Sequence, residues 1–351
     1  MNTGEHSQAS PLDAPEAPAI RILTNQTKRD HPYWLARTLL LPGWHEELKQ
    51  IWGRQDGKWH WRDLYWGWRL FVASRQCDAV VTGSEHPALV FTVLQGLLRP
   101  HKKPQILIYT HWNLPSSRLG RWIRRVQHRY QVWAVSRVIV YSHQQLERYA
   151  TELRLPREKL ACVFYHTTLY DVKCSISEGG YVFSGGDYTR DYRNLVEAAR
   201  GLPYRVIIAA RLRTYFEGLR IPDNVHILTT THAQFFTLMA GARVVVVPLR
   251  KGLLHSGGQQ TYLNAMGMGK PVIVADDCGA EEYIVNGVNG VVVPAGDAAA
   301  LRGAIEAVCE DGVLAQRLGE NARSAAARFS PEVFVDGVLD IVKQCVERRN
   351  C

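Results

Sequence analysis

Long uncharged apolar runs are missing from this sequence of 351 residues. The longest candidate, Phe235 to Leu249, is interrupted by Arg243, whereas a helix that crosses a bilayer needs about twenty consecutive apolar residues. The sequence therefore predicts no membrane-spanning helix. The first nineteen residues also lack a basic start followed by an apolar core, so we expect a disordered leader over 1–19 rather than a secretory signal.

Paired cysteines and metal-binding spacings are also missing. The seven cysteines are scattered, which favours reduced thiols in the cytoplasm over a disulfide framework. The sequence has no Asp-x-Asp motif, because Asp276 and Asp277 are adjacent. We therefore expect no metal ion and no cofactor.

Tryptophan is missing from the second half of the chain. All ten tryptophans lie between Trp34 and Trp133, and the charges are equally uneven. Lys and Arg number 24 against 14 Asp and Glu in residues 1–175, and 18 against 19 in residues 176–351. The length and the 46% apolar content suit two domains. Their different chemistry predicts different partners.

Unbroken β-branched runs in the second half indicate strands that are buried on both faces. One run, Val244 to Val247, is followed by a loop, by a segment of helical spacing from Gly257 onward, and by a second apolar run from Pro271 to Ala275. This order predicts a strand–helix–strand crossover in a parallel sheet and thus an α/β fold. Ligands of such sheets bind at the carboxyl ends of the strands.

The stretch NAMGMGKPVIVADDCGAEEYIVNGVNGVVVPAGD resembles the nucleotide-sugar half of glycosyltransferase family four and its relatives with the GT-B fold. The shared pattern is a helix ending in Ala-Met, then Gly-Lys-Pro-Val-Ile, an acid-rich turn, Asn-Gly-x-x-Gly and Pro-x-Gly-Asp. The resemblance implies two Rossmann-like, doubly wound domains that face a cleft. We expect an acceptor- and membrane-facing domain over 20–174, a nucleotide-sugar domain over 175–329, and a helix over 330–351 that braces the first domain.

The same resemblance implies a metal-independent transfer of a sugar from a nucleotide diphosphate, with retention of anomeric configuration. The family usually has two glutamates eight positions apart around the helix start, where this sequence has Ser256 and Asn264. Both residues can form hydrogen bonds, but neither supplies a charged acceptor. We expect Ser256, Gly257 and Gly258 near the donor sugar and phosphate, and Asn264 near the ribose.

Arginines replace the basic residues with which the family binds the donor diphosphate. The predicted strand Tyr181 to Phe183 is followed by Gly185 and Gly186, which we expect beside the donor. Gly186 and Asp191 occupy the positions of the family's Arg and Lys. Glycines let backbone amides approach an anion. Arg190 is the predicted substitute, and Arg211 is the second candidate. The alternative for either residue is an exposed arginine at the start of a helix.

Three further residues complete the predicted donor site. We expect Arg250 or Lys270 near phosphate, although Lys270 also fits a cation at a helix C-terminus. Glu281 follows the acid-rich turn and either lines the donor pocket or is a first-turn acid favoured by a helix dipole.

His111 directly follows the predicted strand QILIYT in the first half. A polar residue at this end of a strand opens onto the interdomain cleft in the related fold, and relatives often have a His or Asp nearby. His111 is the candidate catalytic residue at the reacting centre, and a structural histidine is the alternative.

A basic segment, RLGRWIRRVQHRYQVW, suggests contact with a membrane. Its arginines recur every three or four residues beside tryptophan, and no carboxylate lies between residues 118 and 142. The spacing predicts an amphipathic helix that binds anionic lipid or the acceptor, with core packing on its other side. The predicted contact residues are Arg118, Arg121, Trp122, Arg125 and Arg129. The Trp-rich region 44–75 is either packed on the first sheet or interfacial.

Three functions remain open on the sequence alone. The first is a cytoplasmic glycosyltransferase, peripheral on the inner face of the plasma membrane, that builds a polysaccharide or glycolipid on a lipid-linked acceptor. The second is a non-catalytic GT-B partner, suggested by Ser256 and Asn264 and by a missing glycine-rich loop after the first strand. The third is a sugar-nucleotide epimerase, which the basic Trp-rich half disfavours. No nucleic-acid-binding motif accompanies the positive charge.

Overall fold

The computed structural model describes most of the chain from residue 20 onward. The described residues are 20–24, 39–40, 60–83, 86–98, 103–108, 110, 112, 114–115, 117–169, 175–177, 179–276 and 278–350. The predicted leader and the candidate catalytic residue His111 lie outside the described residues.

Six parallel strands form the first sheet, in the order β2-β1-β3-β4-β5-β6. The strands are β1 (Ile22–Thr24), β2 (Leu39–Leu40), β3 (Ala79–Thr82), β4 (Gln105–Leu107), β5 (Arg137–Val140) and β6 (Leu160–Cys162). The helices described between them are α1 (Trp61–Ala73), α2 (His86–Leu98), α3 (Arg118–Ala134) and α4 (His143–Glu152). This sheet and its helices are called the first domain.

Six parallel strands also form the second sheet, in the order β12-β11-β10-β7-β8-β9. The strands are β7 (Tyr181–Gly185), β8 (Arg205–Ala209), β9 (Val225–Leu228), β10 (Val244–Pro248), β11 (Val272–Asp276) and β12 (Val291–Pro294). The helices are α5 (Tyr192–Ala199), α6 (His232–Ala240), α7 (Gln259–Gly267), α8 (Ala298–Glu310) and α9 (Gly312–Ala326). This sheet and its helices are called the second domain.

Apolar side chains cover both faces of the second sheet, which explains its unbroken β-branched strands. On one face Val247 of β10 belongs to the same core cluster as Leu263 of α7. On the other face Val246 belongs to the same core cluster as Leu195 of α5. The prediction of a doubly wound α/β architecture with two such sheets is confirmed.

The last helix, α10 (Pro331–Asn350), returns to the first sheet. Phe334, Val338 and Val342 recur every four residues and therefore lie on one face of the helix. They form a core with Ile106 of β4 and Ile139 of β5. The end of the described chain is thus packed on the domain in which the chain begins.

Candidate functional site

The strand order of the second sheet creates a crevice between β7 and β10. The two strands are neighbours, and the helices that follow them, α5 and α7, pack on opposite faces of the sheet. The two connecting loops therefore diverge at the carboxyl ends of the strands. Open α/β sheets bind their ligands at such a point. The residues predicted to bind the donor after β7 and β10 meet here.

The loop after β7, residues 186–190, has a constrained backbone and is called the β7 loop. Gly186 has a φ of +109° and Thr189 a φ of +62°, and positive φ is uncommon for a β-branched residue. The N–H of Arg250 donates to the Thr189 carbonyl at 2.9 Å. Arg190 forms an isolated β-bridge with Leu249. The β7 loop is thereby attached to the segment that follows β10.

Arg190 is buried beneath this loop and its guanidinium binds neutral oxygens. Nε donates to the carbonyl of Gly185 at 3.0 Å, Nη1 to the carbonyl of Tyr188 at 3.0 Å, and Nη2 to the hydroxyl of Thr261 at 2.8 Å. Burial lowers the pKa of Arg190 from its ordinary value. The side chain therefore links the β7 loop to α7 and places positive charge under the crevice.

The turn Ser256–Gly258, called the glycine turn, leads into α7 from the other side of the crevice. A Cβ on Gly257 would lie 2.7 Å from the Thr189 hydroxyl, and one on Gly258 would lie 2.8 Å from Cγ1 of Val247. Gly258 also has a φ of +76°. Side chains are thus excluded where the first amides of α7 begin, and such amides attract anions.

Arg211 and Arg250 are exposed beside the β7 loop, and Arg211 is paired with an acid of that loop. Nε of Arg211 lies 2.7 Å from the carboxylate of Asp187, which also accepts from the backbone N–H of Arg211 at 2.6 Å. Burial raises the pKa of Tyr215, and nearby Arg250 and Arg190 oppose that shift. The structure therefore brings the three predicted arginines together around one loop.

Lys270 lies elsewhere, which corrects its predicted position near phosphate. It directly precedes β11, and the amino end of a parallel strand is at the opposite edge of the sheet from the crevice. The side chain is buried, and Nζ donates to the carbonyl of Ser177 at 2.5 Å. Lys270 therefore binds the segment that connects the two domains.

Ser256 and Asn264 both form hydrogen bonds to residues outside the second domain. The Ser256 hydroxyl lies 2.5 Å from the hydroxyl of Ser142, the N-cap residue of α4. The amide oxygen of Asn264 accepts from the N–H of Thr168 at 2.7 Å, and its Nδ2 donates to the Thr168 hydroxyl at 2.9 Å. Both residues are buried. Ser256 thus contacts the first domain, and Asn264 contacts the segment between β6 and β7.

Glu282 forms the interdomain contact that the sequence analysis missed. Its carboxylate accepts from the N–H groups of His143 and Gln144 at 2.8 and 2.9 Å, and lies 2.7 Å from Nδ1 of His143. It thus caps the N-terminus of α4 from the other domain, where negative charge is favoured. The predicted residue, its neighbour Glu281, is exposed. The available signals were the two adjacent acids and the serine that opens α4.

The comparison with known families covers this same region. The family model described as glycosyl transferases group 1 matches residues 189–325, which include Arg190, Arg211, Arg250 and the glycine turn. Residues 189–325 are a glycosyl transferases group 1 domain. The chain therefore carries a glycosyltransferase domain, as the resemblance of its sequence predicts.

Two relatives match parts of the chain in sequence. Exopolysaccharide phosphotransferase SCO2592 of Streptomyces coelicolor is 28% identical over 142 residues, which are 40% of this chain and 15% of that protein. EpsD of Bacillus subtilis, a protein named as a glycosyltransferase, is 33% identical over 88 residues, which are 25% of this chain and 23% of that protein. The matched segments thus span less than a quarter of either relative.

Solved structures match more of the chain. Anabaena HepE, in a complex with UDP and glucose, aligns with a TM-score of 0.68 and 16% identity over 93% of this chain and 100% of that one. Sucrose-phosphate synthase from Thermosynechococcus elongatus aligns with a TM-score of 0.64 and 19% identity over 80% of this chain and 77% of that one. At these identities the likeness shows the fold, which is GT-B.

Trp112, next to the candidate His111, is buried after β4, in a core cluster against which Leu254 of the second domain also packs. Its ring stacks on His128 of α3 with centroids 4.4 Å apart and on Tyr149 of α4 with centroids 5.5 Å apart. Burial lowers the pKa of His128 to about 4. These rings join α3 and α4 to the segment that carries His111.

An exposed apolar surface covers the helices of the first domain and is called the helical face. It contains all the large exposed hydrophobic side chains that the structure describes in that domain, and these are Trp61, Leu64, Tyr65, Trp68, Val72, Leu97, Leu98, Leu119, Trp122, Ile123, Val126, Tyr130 and Trp133. Trp66 of α1, in contrast, is buried. One side of α1 thus packs on the first sheet, as one alternative for the Trp-rich region predicts, and the other side faces solvent.

Four predicted arginines of α3 border this surface. Arg118 and Arg129 are exposed, whereas Arg121 and Arg125 are half-buried. Nε of Arg125 donates to the carbonyl of Glu152 at 3.0 Å, so this arginine also attaches α3 to α4. Among the described helices, none is both long and apolar enough to cross a bilayer.

Proposed function

We propose that this chain is a metal-independent glycosyltransferase that moves a sugar from a nucleotide diphosphate to an acceptor hydroxyl. The observation that carries the proposal is the crevice of the group 1 domain. There the buried Arg190 donates to Thr261 of α7, and the glycine turn forms the start of that helix, so a guanidinium and a helix N-terminus lie together at one point.

The chemistry of the reaction matches this arrangement. When the bond from the anomeric carbon to the diphosphate breaks, negative charge builds up on the departing phosphate. Donors and cations that are already in position stabilise that charge without reorganising. Arg211 and Arg250 are exposed beside the loop, and the first amides of α7 add partial positive charge. Retention of configuration, which the resemblance implies, belongs to the same proposal.

Related proteins support the choice of donor and product. The GT-B structure of Anabaena HepE contains UDP and glucose, which makes uridine diphosphate the first nucleotide to test. The two sequence relatives are named as an exopolysaccharide phosphotransferase and a glycosyltransferase. We propose a polysaccharide or a glycolipid as the product.

Titration calorimetry with uridine, guanosine, thymidine and adenosine diphosphates tests donor binding. We expect one nucleotide to bind more tightly than the others. The variant Arg250→Gln should weaken that binding roughly tenfold, because a charge-assisted hydrogen bond to phosphate is lost. Arg317→Gln, on the exposed side of α9, is the matched control and should bind as the wild type does. If none of the four nucleotides binds to folded protein, the proposed function is wrong.

We further propose that the enzyme works at the inner face of the plasma membrane on a lipid-linked acceptor. The helical face presents tryptophans beside arginines, and this combination suits the headgroup layer of an anionic membrane. Its helices pack closely, because a Cβ on Gly67 of α1 would lie 2.4 Å from Val90 of α2, and Gly96 of α2 lies against the hydroxyl of Tyr130. One surface would therefore contact the lipid over three helices.

Sedimentation with vesicles tests membrane binding. We expect the protein to pellet with vesicles that contain phosphatidylglycerol and to remain in solution with phosphatidylcholine alone, because anionic lipid attracts the arginines. The double variant Trp122→Gln and Trp133→Gln should release most of the bound protein. Val313→Gln, an exposed apolar residue of α9, is the matched control. Equal pelleting of all three proteins would contradict the membrane proposal while leaving donor binding untouched.

A second candidate is a binding protein without transferase activity. The observation that favours it is the engagement of Ser256 and Asn264 by Ser142 and Thr168, at the positions where the related family has glutamates. Release of nucleoside diphosphate from a nucleotide sugar distinguishes the two candidates. A transferase releases it in the presence of acceptor lipid, whereas a binding protein binds the nucleotide and releases none.

A further inference from the structure

The β7 loop carries an exposed aromatic ring at the mouth of the crevice. Tyr188 is 66% exposed, whereas Asp187, Thr189 and Arg190 around it are buried. Among the described residues from 179 onward, it is the one aromatic side chain in the set of large exposed hydrophobic residues. An aromatic ring has much apolar area to bury. The apolar area of this ring is therefore available to a ligand.

The backbone of Tyr188 is fixed although its ring faces solvent. Its carbonyl accepts from Nη1 of Arg190 at 3.0 Å and from the hydroxyl of Thr189 at 2.6 Å. On the other side, the carboxylate of Asp187 accepts from the backbone N–H groups of Arg211 and Leu212. The ring therefore lies between the ends of β8 and β10. Asp187 holds it to the residues after β8, and Thr189 holds it to Arg250 after β10.

The charges around the ring define the ligand that would cover it. Arg211 and Arg250 are exposed on either side of the loop, and Tyr215, whose pKa responds to both Arg250 and Tyr188, lies close by. A molecule that used all of these groups would combine an anionic part for the arginines with a flat ring for the tyrosine. A nucleoside diphosphate has both parts.

We propose that Tyr188 is the stacking surface for the base of the nucleotide donor. This inference rests on the proposed function and adds the residue that determines how the base is bound. Base–aromatic stacking accepts every base, because each has a π-face. A rigid loop strengthens it, since little conformational freedom is lost on binding. Tyr188 therefore contributes affinity for the nucleoside and leaves the phosphates to the arginines.

Calorimetry with two nucleotides and with pyrophosphate separates stacking from phosphate binding. The wild type, Tyr188→Leu and Tyr188→Phe are each titrated with uridine diphosphate, with guanosine diphosphate and with inorganic pyrophosphate. Tyr188→Leu should weaken the binding of the preferred nucleotide by roughly 5- to 150-fold, the range for one lost base stack. Tyr188→Phe should retain nearly all of the affinity. Pyrophosphate should bind equally to all three proteins.

Each contrary result has a distinct meaning. If the wild type binds a nucleotide and Tyr188→Leu binds it as tightly, the stacking proposal is wrong and the proposed function stands. If Tyr188→Leu loses nucleotide and pyrophosphate to the same extent, Tyr188 shapes the phosphate site and does not stack on the base. If the wild type binds no nucleotide, both proposals are overturned. Thermal unfolding of the three proteins checks that an exposed substitution leaves the fold intact.

Discussion

The helical face of the first domain and the crevice of the second domain both contain arginine, but in opposite settings. On α3, Arg118 and Arg129 are exposed among apolar side chains that also face solvent. In the crevice, Arg190 is buried and donates to three neutral oxygens of its own chain. The exposed arginines of α3 can thus attract anionic lipid, as proposed above, whereas arginine in the crevice fixes the geometry of the β7 loop. Substitutions on the helical face should alter membrane binding alone, whereas substitutions in the crevice should alter both nucleotide binding and the free energy of unfolding.

Removing the buried arginine should have the largest effect. Arg190→Ala leaves the carbonyls of Gly185 and Tyr188 and the hydroxyl of Thr261 without their donor, and we expect unfolding to become easier by about 3 kcal/mol. Chemical denaturation followed by circular dichroism measures this loss. Arg193→Ala, on the exposed side of α5, is the control and should change the free energy of unfolding by less than about 0.5 kcal/mol. Equal stability of the two variants would contradict the linking role of Arg190.

The buried side of α3 should make the first domain sensitive to acid. His128 has a pKa of about 4 in the folded protein, against about 6.5 when unfolded. The unfolded chain therefore binds the proton more readily, so the stability contributed by neutral His128 falls as the pH drops from 6.5 toward 4. Between pH 7 and pH 5 this loss is about 2 kcal/mol.

Denaturation of the wild type and of His128→Gln at both pH values isolates this contribution. The difference in stability between pH 7 and pH 5 should be smaller in the variant by that amount. An identical pH dependence of the two proteins would show that His128 is readily protonated in the folded state.

Removing the contact between the domains should have a smaller effect than either of these changes. Glu282→Ala removes the cap that the second domain gives to α4, and we expect the amides of His143 and Gln144 to exchange their hydrogens roughly fivefold faster or more. Glu281→Ala is the matched control, because Glu281 is exposed next to it. Hydrogen exchange read by mass spectrometry makes the comparison. Unchanged exchange in Glu282→Ala would mean that the capping contact does not persist in solution.

A substitution on the helical face should have the smallest effect on folding. Trp122→Gln replaces a side chain that is exposed in the folded chain, so we expect the free energy of unfolding to stay within about 0.5 kcal/mol of the wild type. Thermal and chemical denaturation both measure it. A decrease of several kcal/mol in the free energy of unfolding would show that Trp122 is part of a buried core. It would contradict the description of the helical face as exposed to solvent.

Much of the second domain could be predicted from the sequence. Strands such as Val244–Pro248 are runs of β-branched residues buried on both faces, and such runs leave few alternatives. Helix α8 begins directly after Asp297, whose side chain caps it, and aspartate is a cap residue that the sequence shows. Helices α4 and α9 were not predicted. The buried side of α4 includes Gln145, and that of α9 is largely small residues, so few large apolar side chains mark either helix in the sequence.

The site could be predicted only in part. Arg190, Arg211 and Arg250 each follow a strand, which brings them to one edge of the sheet. The order of strand, loop and helix can be predicted from the sequence. The predicted role of Lys270 is wrong because Lys270 precedes β11, and the amino end of a parallel strand lies at the far edge of the sheet. The contact of Glu282 with α4 depends on how the two domains are placed against each other. Local patterns in a single sequence carry no signal for that placement.

Hydrogen exchange with and without nucleotide tests most directly whether the donor binds in the crevice of the group 1 domain. Each of the four nucleoside diphosphates is added in excess, and exchange is followed along the described chain. We predict slower exchange in the β7 loop and at the start of α7, residues 185–190 and 257–263, and no change on α1 to α3. Protection confined to the first domain, or none with any nucleotide, would contradict the account.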